Sequence, residues 1–595
     1  MSVLQFSSQT LLLPQYGAAP DVPPLPGEDP RRSLPVFALA EDEELFEGYG
    51  LLPSLYPYRC GAPTGKAART AAKTAVLESA RLRAVFLPEY GGQLFSLVDK
   101  KTGVDLLGAP HDPAALPGVS WHAGLDGLHE APAPARLYTA RTQLPDGTPV
   151  LRFYEYERIR RLFWQLDFWI RENDRFLSCR VRLVNDGERV VPAAWWSRMR
   201  LPLYPGGLLL LPAREYYQEK GRIVRRAALP ESGLGDAFSA PSSLTNLSAA
   251  RASGYALPGN GKMRFFALRP QAPLFAAHLD RHGYGLLHLS TARLAGRGAA
   301  IDDGYGTETT DKTVPADTRG RGTAFPDTAM PAGSRRHSTE TADKAASGNA
   351  HGRGVSSTSE AARKRAPAAG PAPSLQLWAG LSRTPYGSLP MPPHTAWEWL
   401  ERYGPLQLTP EEISGLRSDG QPPLYEISPL RPLAPLPERA ADCVAARIRK
   451  KGADTALENA LEKSHTVAVS PAELLYYGSG YGSFAELSER TEHLTFVRHE
   501  SSLRRWASFF DSGLLHSPAP AERPDEFLID AHNAAFLERS LRASNAGNWY
   551  AFYQHGVYLA SARQYDRAKE SLRRSLRLAE NPWARALLRE MTHDG

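Results

Sequence analysis

Two histidines and two carboxylates lie close together in one glycine-containing stretch of the chain. They are His122, Asp126, His129 and Glu130. Imidazole and carboxylate groups carry most proton transfers in enzymes, and both also ligate zinc. The stretch is therefore a candidate acid–base site, with a structural role as one alternative and a metal site, which no other part of the sequence supports, as another.

Signals for a bound cofactor are weak. The segment Gly478–Gly482 is rich in glycine, but it lacks the lysine and the preceding strand of a phosphate-binding loop. No G-x-S-x-G nucleophile motif occurs. We therefore expect no cofactor and interpret Gly478–Gly482 as an ordinary loop.

Length and composition describe an ordinary globular protein with room for two or three domains. The chain has 595 residues, of which 42% are hydrophobic and 23% are charged. No apolar run reaches the roughly 18 residues of a membrane span, and no basic segment precedes Leu11–Leu13 as in a secretory signal. Cys60, Cys179 and Cys443 are far apart. These features predict a cytoplasmic protein without a membrane partner.

The net charge of +6 comes mostly from one segment. Residues 311–365 contain ten Lys or Arg and six Asp or Glu, a surplus of four. They lie in a stretch at about 296–373 that is rich in Ala, Gly, Ser and Thr and poor in large apolar residues. Such a stretch cannot repay its ordering entropy, so it predicts a disordered insertion. Aromatic residues do not alternate with its basic ones, so we expect no nucleic-acid partner.

The part from 34 to 408 is predicted to be an all-β sandwich interrupted by that insertion. Arg83–Leu107 contains two tight hairpins, the first bending at Gly91 and Gly92 after Pro88. Phe176–Asn185 alternates apolar and polar residues, as a half-buried strand does. Strands resume at Leu375–Leu381. Residues 1–33 are rich in proline and are predicted to be loose.

The part from 409 to 595 is predicted to be helical. Thr409–Glu412 is a capping box with proline at the first helical position. Asn548–Ala584 resembles a tetratricopeptide repeat, with a plain helical hairpin as the alternative. The residues at the packing positions of that repeat are Phe552, Gly556, Leu559, Tyr565, Ala568 and Leu572. One repeat cannot bury both faces, so flanking helices and a possible protein partner are expected.

Several long motifs occur in a specific order. They read PDGTPVLRFYEYERIRRLFWQLDFWI, AAWWSRMRLP and LQLWAGLSRTPYGSLPMPPHTAWEWLERYGPL, followed by the repeat. In this order they resemble a bacterial family of unknown function that joins a galactose mutarotase-like (aldose epimerase-like) β-supersandwich to tetratricopeptide repeats. The resemblance implies that fold for the β-domain and a carbohydrate ligand.

The resemblance also implies an altered catalytic site. Mutarotation needs a base at the anomeric hydroxyl and an acid near the ring oxygen. In the family a glutamate late in the β-domain is the base, and this chain has Gln376 at that position. Ser120 and His122 replace the family's Glu and Asn around Trp121, and His129 is the candidate match for its histidine. We therefore expect catalysis to be lost or changed.

The remaining residues of the expected site suit sugar binding. Indole rings stack on the apolar face of a pyranose, while polar groups bond its hydroxyls. The indoles are Trp121, Trp196 and Trp378, and the polar groups are His122, Asp126, Arg198, Gln376 and Arg383. Two alternatives stay open: an active epimerase with His122 or His129 as acid and Asp126 or Glu130 as a displaced base, and a protein-interaction scaffold.

Overall fold

The computed structural model describes residues 2–18, 20–26, 30–38, 46–52, 56–57, 63–108, 121–124, 137–157, 159–204, 207–211, 213–220, 222–228, 264–268, 274–290, 294–302, 374–415, 505–506, 508–509, 512–524, 527, 531–543 and 548–593. Strands fill most of this part as far as residue 407, and helices dominate after residue 530. The predicted order of a β part followed by a helical part is therefore present.

The first sheet has five strands in the order β1-β3-β4-β5-β6. The strands are β1 Val3–Tyr16, β3 Pro63–Glu78, β4 Leu82–Leu87, β5 Gln93–Asp99 and β6 Val104–Asp105. The hairpin predicted around Gly91 and Gly92 is confirmed, since both glycines have positive φ angles (67° and 65°) between β4 and β5. A side chain with a Cβ rarely adopts this conformation.

The second sheet has eight antiparallel strands in the order β14-β18-β19-β23-β11-β10-β9-β8. The strands are β14 Leu208–Leu210, β18 Leu274–Leu279, β19 Tyr284–Ser290, β23 Thr395–Gln407, β11 Leu177–Asn185, β10 Leu162–Trp169, β9 Pro149–Glu157 and β8 Tyr138–Gln143.

The third sheet also has eight strands, in the order β2-β16-β15-β17-β20-β21-β13-β7. The strands are β2 Val36–Phe37, β16 Ile223–Ala228, β15 Ala213–Lys220, β17 Arg264–Leu268, β20 Gly296–Asp302, β21 Ser374–Gly380, β13 Trp196–Pro202 and β7 Trp121–Gly124. A separate ribbon pairs β12 Val191–Ala193 with β22 Leu389–Met391.

One hydrophobic core joins the three sheets. Phe86 of the first sheet, Leu166 of the second and Leu377 of the third belong to the same buried cluster. Successive strand residues point to opposite faces, so each sheet gives this core one of its faces. The sandwich prediction is confirmed in this coarse form.

Strand β11 corrects a detail of the prediction. Its apolar residues, such as Cys179, are in the core as predicted, but the other face is also buried. There Asp167 accepts two hydrogen bonds from Arg152, at 2.6 and 2.8 Å, and lies 3.4 Å from Arg180. Arg180 also contacts Glu398 at 2.7 Å. The alternation of apolar and charged residues predicted a face exposed to solvent. The charged side chains are instead buried, where they form ion pairs with one another.

Two segments predicted to lack structure contain strands. β1 lies within residues 1–33, which were predicted to be loose, and pairs with β3 from Val3 to Tyr16. β20 lies at the start of the predicted insertion and pairs with β17 and β21. Buried Arg297 stabilises β20 locally, since its guanidinium donates to the carbonyls of Leu294 and Gly296 at 3.1 and 2.8 Å. The rest of the insertion, 303–373, lies outside the described residues.

The helices comprise α1 Pro410–Gly415, α2 Ala531–Ala543, α3 Trp549–Ser561, α4 Tyr565–Leu578 and α5 Pro582–His593. The capping box at α1 is confirmed: the Thr409 amide donates to the Glu412 carboxylate at 2.8 Å, and the Glu412 amide donates to the Thr409 hydroxyl at 3.2 Å. No helix in the described part of the chain is long and apolar enough to cross a membrane.

Helices α3 and α4 form the hairpin predicted from the repeat pattern. Gly556 allows their close approach, since a Cβ there would lie 2.7 Å from Leu572 Cγ. His555 bonds the Ser571 hydroxyl at 2.8 Å, and Ser575 donates to the Trp549 carbonyl at 2.7 Å. His555 and Ser575 therefore bridge the two helices through polar contacts.

The N-terminal segment after β1 packs on the helices. Val22 is buried in the helical core, and Leu25 and Tyr56 pack against it. Arg523 donates a hydrogen bond to the Pro20 carbonyl at 2.9 Å. Residues predicted to be loose thus connect the first sheet to the helical core.

Candidate functional site

Part of the set predicted for sugar binding shares one face of the third sheet. Directly opposed residues form a cross-strand row that runs Gly298, Trp378, Arg198 and His122 on β20, β21, β13 and β7. The opposite face of β13 and β21 belongs to the core, where Met199 and Leu377 are buried. The row therefore lies on the side of the sheet that faces away from the core.

Arg198 and Gln376 form the polar centre of this face. Arg198 Nη2 donates a hydrogen bond to Gln376 Oε1 at 2.6 Å, and both side chains are half-buried. The Arg198 guanidinium also lies over the Trp378 ring, 5.5 Å from its centroid. A cation over an indole face is held by the ring quadrupole, so this contact orients Arg198. The result is a planar guanidinium, an amide and an indole in one contact group.

The Trp196 ring packs against two glycines next to this group. Gly296, Gly380 and Trp196 are in register across β20, β21 and β13. A Cβ at Gly380 would overlap the indole ring, and one at Gly296 would come within 2.8 Å of its Cη2 atom. The ring also packs edge-to-face on Phe265, with centroids 5.8 Å apart. Glycines in neighbouring strands therefore make the room that this indole requires.

Both indoles are almost fully covered. Trp196 is 3% exposed and Trp378 is 6% exposed, and they form an apolar cluster with Tyr217, Phe265 and Val224. Within the described residues, the Trp196 Nε1–H has no hydrogen-bond acceptor although it is buried. The face therefore offers the edge of the Trp378 indole rather than open stacking platforms, and the Trp196 donor lies beneath its surface.

Aromatic residues continue the row toward the far edge of the sheet. Tyr217 on β15 is opposite Phe265 on β17, which is opposite Gly298 on β20. Phe265 and Phe37 each make a ring contact with Tyr386, at 6.4 and 5.4 Å. Aromatic side chains thus line the face from β15 to β21.

Strand β7 carries two of the predicted residues, Trp121 and His122, at the edge of the third sheet. His122 is opposite Arg198, and Trp121 is opposite Met199, whose side chain lies in the core. Trp121 therefore occupies a core register position, whereas His122 occupies the site row. Asp126, His129 and Glu130 lie outside the described residues. Arg383 is exposed in the segment that follows β21.

Asp302 is a carboxylate position that the sequence prediction missed. It ends β20 opposite Ser374. This pair forms the next row on the same face after the row of Ala300, Gln376 and Arg200. Arg200 donates to the Ser374 hydroxyl at 2.8 Å. The composition of the surrounding segment predicted disorder, so this carboxylate was assigned to the insertion. Only the strand register places it beside Gln376.

A buried carboxylate on the core side ties the site strand to the second sheet. Glu401 of β23 accepts hydrogen bonds from Ser197 Oγ at 3.2 Å, Trp399 Nε1 at 3.0 Å and His288 Nε2 at 3.0 Å. Tyr403 also donates to it. Ser197 stands between Trp196 and Arg198 in β13, so Glu401 fixes the strand that carries both. The alternation Trp399, Glu401, Tyr403 was the only sequence signal for this group.

The charges of this buried group are set by its contacts. Burial raises the pKa of the Glu401 carboxyl, but the hydrogen bonds from His288, Tyr403 and Trp399 outweigh this effect, and the pKa is below its ordinary value. Burial lowers the pKa of His288, although Glu401 opposes the shift. Neutral His288 therefore donates to an ionised Glu401 near pH 7, and nearby cationic Arg297 balances the charge.

A metal site has no support in the described part of the chain. Among those residues, no group of three His, Cys, Asp or Glu side chains is close enough to hold an ion. The residues of the alternative metal hypothesis other than His122 lie outside the described ranges.

Comparisons with known proteins give remote structural likeness. No protein-family model matches the chain, and no curated protein sequence matches it. A TPR-domain-containing protein from Parabacteroides distasonis matches with 12% identity over 98% of this chain and 80% of its own, at a TM-score of 0.47. A galactose mutarotase-like protein from Clostridium acetobutylicum matches with 9% identity over 57% of this chain and 96% of its own, at a TM-score of 0.34. A putative aldose 1-epimerase from Escherichia coli K12 matches with 10% identity over 56% of this chain and 98% of its own, at a TM-score of 0.33.

Proposed function

We propose that this protein binds a carbohydrate on the outer face of the third sheet and does not catalyse mutarotation there. The observation that carries the proposal is the Arg198–Gln376 pair beside Trp378. The Arg198 guanidinium and the Gln376 amide nitrogen are hydrogen-bond donors, and the Gln376 amide oxygen is an acceptor. Neighbouring hydroxyls of a sugar need both kinds of group. The neighbouring indole edge supplies apolar contact for ring carbons.

The donor of Trp196 is a second feature that a ligand would meet only after a rearrangement. Its N–H is buried and has no acceptor among the described residues, which costs free energy. A ligand hydroxyl would reach it only after the side chains that cover it had moved, so the proposal does not depend on this donor.

The same pair explains why Gln376 does not act as a base. A carboxamide has no lone pair that accepts a proton near neutral pH, and its oxygen already accepts from Arg198 at 2.6 Å. The residue instead extends the hydrogen-bonding surface of the arginine. If mutarotation were present after all, Asp302 would be the first carboxylate to examine, because it lies one row from Gln376.

The test is isothermal titration of the full chain with D-glucose, D-galactose and their oligomers. Wild type is expected to bind at least one of them, and Arg198→Ala is expected to weaken that binding about tenfold or more, as for a lost charged hydrogen bond. The matched control is Arg171→Ala, which removes an exposed arginine paired with Asp146 at 3.0 Å, outside the third sheet. Its affinity should equal that of wild type.

Two results would overturn the proposal. One is the absence of binding for every sugar at millimolar concentration, which would favour the scaffold alternative. The other is rapid anomerisation of a free aldose by the wild-type chain in a polarimeter, which would favour the epimerase alternative.

A further inference from the structure

Strand β1 is a long edge strand without a charged residue. It spans Val3–Tyr16, and β3 is the only described strand that pairs with it. Its sequence, VLQFSSQTLLLPQY, contains no Lys, Arg, Asp or Glu. The pairing with β3 is regular up to a shift between Pro14 and Tyr16. An edge strand exposes a row of backbone donors and acceptors that can pair with another strand.

The other sheet edges in the described part of the chain are protected in ways that β1 is not. Natural edges are kept short, charged, bulged or covered. β6, β14 and β2 have two, three and two residues, and β7 has four. β8 has six residues and carries Arg141. β1 has 14 residues, about 46 Å at 3.3 Å per residue, and among the described residues none of these devices protects it between Ser7 and Leu13.

The charged residues at this edge of the first sheet lie on β3, the strand next to β1. β3 carries Lys66, Arg69, Lys73 and Glu78, while the outermost strand is neutral. Near the start of β1, Arg141 donates to the Leu4 carbonyl and lies over the Phe6 ring at 5.7 Å. The stretch from Ser7 to Leu13 is therefore the part of the edge that remains for pairing.

We propose that β1 pairs antiparallel with β1 of a second copy of this chain, joining the two first sheets into one. A two-fold axis near Gln9 places Gln9 opposite its own copy and Ser8 opposite Thr10 of the second copy. Hydroxyl and amide pairs of this kind stabilise adjacent strands, and no like charges meet. A charged peptide would find no opposite charge on β1, so a copy of the same neutral strand suits the edge best. With this axis the five residues Ser7–Leu11 pair with their copies, which is an ordinary strand length.

The test places charge on the edge without harming the single chain. In Ser8→Glu/Thr10→Glu the carboxylate introduced at position 8 would face Lys73 within its own chain, since Ser8 and Lys73 are in register. Both substituted positions are exposed. In the dimer each carboxylate would face another, and the same holds for at least one pair if the axis lies at Ser8 or Thr10. We expect the dimer Kd to rise about fivefold for each opposed pair, or about 25-fold for two.

Sedimentation equilibrium on the full chain measures the effect, with a mass of 65.3 kDa for one copy. Val104→Glu is the control, because it adds one glutamate to an exposed residue at the other edge of the first sheet. Its Kd should match wild type. An equal mixture of Ser8→Glu/Thr10→Glu with Thr10→Lys, whose lysine lies opposite Ala71 in its own chain, should dimerise at least as tightly as wild type, which also shows that both variants are folded.

Three results would overturn the inference. They are a wild-type chain that stays monomeric at all concentrations, a dimer that tolerates both glutamates, and a dimer that Val104→Glu weakens equally. Amide exchange gives a second readout, because exchange in the peptide covering Ser7–Leu13 should slow as the concentration of wild type rises.

Discussion

His278 gives the protein a defined sensitivity to acid. Its side chain is 1% exposed on β18, stacked on the Tyr204 ring with centroids 5.0 Å apart. Among the described residues its Nε2 atom has no hydrogen-bond partner. Burial lowers the pKa of His278 from 6.5 to about 3, because the cation would lose its hydration. The imidazole is therefore neutral in the folded protein throughout the mildly acidic range.

The sign and size of the effect follow from linkage. As the pH falls below about 6.5, the unfolded chain binds a proton at His278 and the folded chain does not, so the folded state loses stability. The loss continues until the pH reaches the folded pKa of about 3. At pH 5, about 1.5 units below the ordinary pKa, the loss relative to pH 8 is about 2 kcal/mol.

His278→Phe should abolish this part of the pH dependence, since a phenyl ring can stack on Tyr204 but cannot bind a proton. Hydrogen exchange of the peptide covering 274–290, corrected for intrinsic rates, gives the opening free energy at pH 8 and pH 5. The wild-type value should fall by about 2 kcal/mol more than that of His278→Phe. His282→Asn removes an exposed imidazole from the adjoining turn and should run parallel to wild type. Parallel curves for wild type and His278→Phe would refute the reasoning.

Three further substitutions test the contacts around the site and the core. Gly380→Ala places a methyl group against the Trp196 ring, so it should cost about 1–3 kcal/mol in thermal unfolding and weaken sugar binding. Asp167→Ala removes the carboxylate that accepts from buried Arg152 and lies 3.4 Å from Arg180, so it should cost about 3–5 kcal/mol in unfolding free energy; an unchanged melting temperature would contradict the ion-pair account. Asn548→Ala removes the cap of α3, whose side-chain oxygen accepts from an amide of the first turn at 2.9 Å. The opening free energy of that turn, measured by amide exchange, should fall by about 1 kcal/mol.

Features set by neighbouring residues were predictable from the sequence. The Gly91–Gly92 bend, the capping box at Thr409 and the apolar alternation of β11 each depend on a few adjacent side chains. Local conformational preferences are strong at such positions because glycine, proline and capping residues act within one turn. The order of the β part and the helical part followed from composition in the same way.

Features set by distant partners were not predictable. β1 is stabilised by pairing with β3, whose residues are more than 40 positions away in the sequence. The uncharged sequence of β1 contains no signal that identifies β3 as its partner. β20 is rich in Gly and Ala, so its composition predicts disorder, while its stability comes from pairing with β21 and from buried Arg297. Strand pairing of this kind depends on tertiary context more than on propensity.

The candidate site combines both cases. Trp196, Arg198, Gln376 and Trp378 were identified from motifs, but their shared face depends on the register between β13 and β21. The hydrogen bond from Arg198 to Gln376 could not be seen in the sequence, because the two residues are 178 positions apart. The same holds for Glu401, which reaches Ser197 from another sheet.

The Arg198–Gln376 contact also decides what a restored carboxylate would do. In Gln376→Glu the new oxygen would stand about where the amide oxygen accepts from Arg198 at 2.6 Å. A guanidinium at that distance lowers the pKa of a carboxyl, often by 1–3 units, so the residue would be ionised but a poor proton acceptor. We therefore expect Gln376→Glu alone to give little anomerisation of a free aldose in a polarimeter. The double variant Arg198→Met/Gln376→Glu should give more, since the carboxylate loses its cation. High activity in the single variant would mean that the guanidinium moves away when a sugar binds, and that the base position is competent in this site as it stands.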